Sequence, residues 1–80
     1  MLVPLYGFLH GDSLGLIVLV HDHQRVAEIV TCLQEAAQVR VAPLHEPVVI
    51  HRGVRLDPDQ TIADAGIAPL DRIDVVPGAA

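Results

Sequence analysis

The chain contains no lysine and no tryptophan, a single cysteine, and only two aromatic residues besides histidine, Tyr6 and Phe8. One cysteine excludes an internal disulfide and any multi-cysteine zinc site. Five arginines stand against ten acids, for a net charge of −5. Such a chain lacks the positive field that phosphate backbones require, which excludes nucleic acid as a partner. The longest apolar run, Leu14 to Val20, is far shorter than the ~20 residues of a membrane-spanning helix. The opening segment MLVPLYGF carries no basic residue, so it does not read as a secretory signal, and the expected compartment is the cytoplasm. Length supports one domain over residues 1–80. With 51% hydrophobic and 19% charged residues and a mean hydropathy of +0.45, disorder is excluded too.

What is present is aliphatic and ordered along the chain. Residues 2–10 read as a strand that starts at a sheet edge or in which Pro4 faces an unpaired position. His10-Gly-Asp-Ser13 supplies turn residues, and residues 14–21 read as a second strand, making an antiparallel hairpin. The period then changes. Val26, Ile29/Val30, Leu33 and Ala37 fall on one stripe, which predicts a helix over about 23–38, with Asp22 or His23 at its entry. Ala42–Pro47 is a proline-bracketed loop, 48–52 a short strand, Gly53 a turn, and Val54–Leu56 a further short pairing segment. Thr61 and Asp64 have capping-box spacing, and Gly66 suits the left-handed residue that ends a turn. Residues 72–76 form the last strand. A hairpin, a crossing helix and further strands give an α+β fold. This is the ubiquitin-like β-grasp, a mixed sheet of four to five strands packed on one helix.

Within that class the chain resembles the toluene monooxygenase system protein B family, the small ubiquitin-like subunits of bacterial multicomponent diiron monooxygenases. The resemblance is carried by the early proline with Phe8 and Asp12, by Leu16, Leu19 and Val20, by Val26-Ala27-Glu28, and by Arg40-Val41-Ala42-Pro43. It continues through Pro58-Asp59-Gln60-Thr61-Ile62-Ala63-Asp64-Ala65-Gly66-Ile67, Pro69 and Ile73-Asp74-Val75-Val76. It implies a subunit without chemistry of its own and with no bound cofactor. The diiron centre would lie in a large hydroxylase subunit, on whose outside this chain packs.

The chemistry-bearing residues agree. His21-Asp22-His23 is the one dense polar cluster, and His21 and His23 are a weak metal-ligand pair without a third partner in the sequence. Cys32 lies mid-helix, away from the helix N-terminus that lowers a thiol pKa. The carboxylates Asp57, Asp59, Asp64, Asp71 and Asp74 fall in turns, caps and a strand. A ubiquitin-type carrier or modifier needs a terminal Gly-Gly, whereas this chain ends Gly78-Ala79-Ala80. The alternatives to the subunit reading are a stand-alone ubiquitin-like adaptor or secretion-linked protein and, behind these, a sulfur carrier.

The hairpin is expected to provide the interface. Side chains alternate along a strand, and one helix covers one face. With Pro4, Tyr6 and Phe8 turned to the helix, Val3, Leu5, Leu9, Ile17 and Leu19 are expected on the open face as the partner interface, available also for self-association. Burying ~300 Å2 there contributes about 7 kcal/mol before association costs. On this reading, Asp at Leu5 and Ile17 releases the partner without unfolding the chain.

Overall fold

The computed structural model describes residues 1–78. Five strands and one helix follow the order β1 (Leu2–Leu9), β2 (Gly15–His21), α1 (Ala27–Ala37), β3 (Pro47–His51), β4 (Val54–Arg55) and β5 (Arg72–Pro77). The sheet order is β2-β1-β5-β3-β4. β1 and β5 run parallel at its centre, and the remaining pairs are antiparallel. This is the β-grasp arrangement expected from the order of elements. Ala79 and Ala80, on which the carrier argument rested, lie outside the described residues.

The helix stripe is the expected one: Val26, Ile29, Leu33 and Ala37 are buried. They meet Val3, Leu5 and Leu9 of β1, Val18 and Val20 of β2, Val49 of β3, and Ile73 and Val75 of β5 in one core. Leu56, Ile62 and Ile67 close the core from the connecting segment. Each fully buried Leu, Ile or Val contributes about 1.5–3 kcal/mol. Gly7 sets the distance between the layers. A Cβ on Gly7 would lie 2.5 Å from Cδ2 and 2.9 Å from Cδ1 of Leu33, so helix and sheet approach this closely only over a bare backbone.

The helix begins at Ala27, later than the expected 23, and Asp22 does not cap it. The Asp22 side chain accepts from the N-terminal amine at 2.8 Å, while residues 21–24 close a turn in which Gln24 N–H donates to the His21 carbonyl. The first helical amides find backbone acceptors instead. Val26 N–H donates to Gln60 O at 2.9 Å and Ala27 N–H to Pro58 O at 3.1 Å. A helix end thus satisfied needs no side-chain cap. The Thr61 side chain does cap, accepting Asp64 N–H at 3.1 Å. Gly66 takes φ +72° as the turn requires, and the Arg52-Gly53 pair that joins β3 to β4 has φ +53° and +76°. Two successive positive φ values make a tight hairpin turn in which glycine is preferred.

The Gly7–Leu33 contact yields a stability prediction. Gly7→Ala lowers the unfolding free energy by about 1–3 kcal/mol through overpacking, and Leu33→Ala lowers it by about 2–5 kcal/mol. In urea denaturation the double variant loses less than the sum of the two, because the added methyl enters the space the leucine vacates. Strict additivity would refute the contact.

Candidate partner-binding face

The register decides which side chains meet solvent. Val3 pairs with Val20 and Leu5 with Val18, whereas Pro4 pairs with Leu19, Tyr6 with Ile17 and Phe8 with Gly15. The first set faces α1 and the second faces away. The expected interface therefore divides. Ile17 and Leu19 are exposed, each at 57%. Val3, Leu5 and Leu9 are buried and belong to the core, not to an interface. The error is a one-residue slip between the two strands, which moves every side chain of one strand to the opposite face. Gly7 carried the missed signal. It is in phase with Val3, Leu5 and Leu9, and a glycine amid aliphatics in a strand marks a close approach by another element.

The true outer face is organised from β2 towards β3. Leu2, Pro4 and Tyr6 lie beside Ile17 and Leu19, with Leu2, Tyr6, Ile17 and Leu19 all exposed. The Leu70 N–H donates to the Pro4 carbonyl at 2.6 Å, which brings exposed Leu70 beside β1. Tyr6 and Phe8 stack at 5.0 Å with planes 13° apart. Gly15 makes room for them, since a Cβ there would collide with the Tyr6 and Phe8 rings. The Arg72 guanidinium sits 4.2 Å from the Phe8 ring centre and donates through Nη2 and Nε to both Asp74 carboxylate oxygens at 3.1 and 3.2 Å. Beyond this pair Val48, Ile50 and Val76 are half-buried. The face is thus an apolar half over β1 and β2, bounded by a neutralised ion pair on β5.

Elsewhere the polar groups tie segments together. Arg40 donates from Nε and Nη2 to the two Asp12 oxygens at 3.1 and 2.9 Å, joining the hairpin turn to the segment after α1. The Arg40 bond, assisted by Leu14 N–H, holds the Asp12 carboxyl below its ordinary value. His51 is the buried polar residue of the described chain, and its Nε2–H donates to Asp71 Oδ2 at 2.9 Å. The Asp71 carboxyl is lowered first by Ala68 N–H, then by His51, with Arg52 contributing. Sequence reading saw Asp71 as a turn residue and did not foresee its bond to His51, because the two are twenty positions apart with no local pattern joining them.

No arrangement among the described residues suggests catalysis. The cleft of about 290 Å3 beside His51 and Asp71 is lined by Arg52, Gly53, Arg72 and Asp74 and presents no hydroxyl or thiol. The groove of about 480 Å3 between α1 and β3 is lined largely by Ala27, Val30, Val48, Val49, Leu56 and Pro58. His21 and His23 stand with rings 5.2 Å apart, and no group of three or more potential metal ligands forms among the described residues. Burial pushes the Cys32 thiol up, and Glu28 and Glu35 push it further, the reverse of what a nucleophile needs. No helix of the described chain is long and apolar enough to cross a membrane.

The family model of toluene-4-monooxygenase system protein B (TmoB) matches residues 2–76. The chain belongs to this family. Among solved structures it resembles a chain of the toluene 4-monooxygenase HD complex with the inhibitor 4-bromobenzoate. The TM-score is 0.87 with 25% identity, covering 95% of this chain and 98% of that one. Caldiarchaeum subterraneum ubiquitin superposes with TM-score 0.77 at 16% identity, covering 100% of this chain and 98% of that one. A designed protein based on ubiquitin gives 0.80 at 22%, covering 99% and 92%. The fold is therefore ubiquitin-like. No curated protein sequence matches the chain. The residues that carry the family resemblance have structural work in this fold: Asp12 and Arg40 form the fork, the Pro58 and Gln60 carbonyls cap α1, Thr61 caps the next turn, and Ile62, Ile67, Ile73 and Val75 fill the core.

Two predictions follow from these placements. Leu5→Asp, which puts a charge in the core, costs about 4 kcal/mol or more. Ile17→Asp, on the outer face, stays within about 1 kcal/mol of the parent in the same denaturation experiment. Equal losses would reverse the assignment of faces. The second concerns acid. A carboxylate held below its ordinary value of 3.8 binds its proton less readily in the folded chain than in the unfolded one. Its stabilisation is complete above that ordinary value and is lost as pH falls through the lower folded value. Asp71→Asn therefore lowers the melting temperature at pH 7, and its difference from the parent shrinks below about pH 4. A difference independent of pH would exclude this role of the Asp71 charge.

Proposed function

We propose that the chain is a non-catalytic accessory subunit of a bacterial diiron monooxygenase acting on hydrocarbon or aromatic substrates, and that it docks on the large hydroxylase subunit. Membership of the TmoB family, together with the likeness to a chain of a toluene 4-monooxygenase complex, supports this reading. The observation that carries the docking is the exposed apolar half-face of Leu2, Pro4, Tyr6, Ile17 and Leu19, with Leu70 beside β1. An apolar patch on so small a chain marks a protein interface. A diiron site needs several carboxylates and histidines converging in a core. Among the described residues the donors are scattered over turns and strands, and on this reading the centre belongs to the partner subunit. Contact then acts by bracing the larger subunit, and this chain binds no cofactor.

The test is association with the large hydroxylase subunit co-expressed from the same host. The parent chain co-purifies with it. The double variant Ile17→Asp/Leu19→Asp folds and weakens binding at least ~30-fold, the loss of a central hot spot of about 2 kcal/mol or more. A parent that never binds refutes the subunit reading. Retained binding by the folded variant refutes the face.

A further inference from the structure

We infer that the outer edge of β2 takes up an extended segment of the partner protein as a sixth strand of the sheet. This deepens the subunit reading and rests on it. Backbone bonding carries the inference. In an antiparallel strand the N–H and C=O of one residue point to the same side, and the side alternates along the chain. Asp22 N–H donates inward to Met1 O at 2.9 Å. His21 turns its groups outward, with its N–H donating to Gln24 Oε1 at 2.7 Å and its carbonyl accepting Gln24 N–H at 2.9 Å. By this alternation Gly15, Ile17 and Leu19 also turn outward. On β1 the opposite parity bonds away from β2: Tyr6 N–H donates to Asp71 O, and the Pro4 carbonyl accepts Leu70 N–H. No hydrogen bond among the described residues reaches the backbone of Ile17 or Leu19.

These groups flank the side chains that form the exposed face. A partner lying over Ile17 and Leu19 also removes water from their N–H and C=O groups, and buried backbone groups left unpaired are costly. An extended segment supplies the matching donors and acceptors. It also sets alternate apolar side chains beside Ile17 and Leu19.

From Gly15 to Leu19 the edge is unguarded, Gln24 occupying it only at His21. Natural edge strands are blunted by charge, proline, bulges or shortness. Gly15–His21 has seven residues, no proline and no Arg, Asp or Glu. The opposite edge is blunted: β4 has two residues between Arg52 and Asp57, and Leu56 N–H already occupies the Val49 carbonyl. A second copy of this chain is a poorer occupant. It would bring one charge of −5 against another.

The test is amide hydrogen exchange of the full-length chain, alone and in complex with the large hydroxylase subunit. The amides of Ile17 and Leu19 exchange rapidly in the free chain and at least a hundredfold more slowly in the complex, while Gly53 at the far edge is unchanged. If both stay fast in a complex that Leu19→Asp still disrupts, the face docks by side chains alone and the added strand is refuted. Protection that rises with the concentration of the free chain assigns the edge to a second copy and likewise refutes it. Absence of any complex refutes the subunit reading itself.

Discussion

Leu33 of α1 rests on the bare backbone of Gly7, and the arrangement of the sheet follows from that contact. It puts one parity of β1 inside, so Val3, Leu5 and Leu9 join the core and Leu2, Pro4, Tyr6 and Phe8 face out. Pairing then turns Val18 and Val20 inward with the first set and Ile17 and Leu19 outward with the second. A single helix has no second stripe with which to cover the outer set. The exposed half-face is therefore a consequence of how this sheet packs, not an addition to it.

The order of elements was legible in the sequence because it rests on short-range patterns: the change of period at residues 25–38, the Gly53 turn and the Thr61–Gly66 cap. Parity was not legible from aliphatic content. Both faces of the hairpin are hydrophobic, so amphipathic alternation, the usual guide, is absent. Only Gly7 and Gly15 distinguish the faces, one opposite Leu33 and the other opposite the Tyr6–Phe8 stack. The helix entry was misplaced for a related reason. Asp22 has the chemistry of a cap, but the acceptors for the first amides come from Pro58 and Gln60, more than thirty positions away.

The family motif and the candidate interface overlap only at Pro4 and Leu19. Asp12, Arg40, Thr61 and the aliphatics from Ile62 to Val75 hold loops and core in place, whereas most of the exposed half-face is built from residues outside that motif. Such a division is physically reasonable. A scaffold tolerates few changes to its buried polar ties and packing, while an outer face is free to follow the shape of whatever covers it. Family membership therefore identifies the scaffold with more authority than it identifies the surface.

Charge and edge together narrow what that cover can be. The sheet closes one margin with a two-residue strand near arginines and leaves the other as seven residues without an Arg, Asp or Glu. The molecule carries a net charge of −5, which opposes the close approach of a second copy. An uncharged edge on an acidic body can persist without self-pairing, because the field opposes close approach of like chains while the strand stays ready for a complementary one. The same feature that is an aggregation hazard in a neutral protein serves, on the proposal above, as a docking edge for the partner.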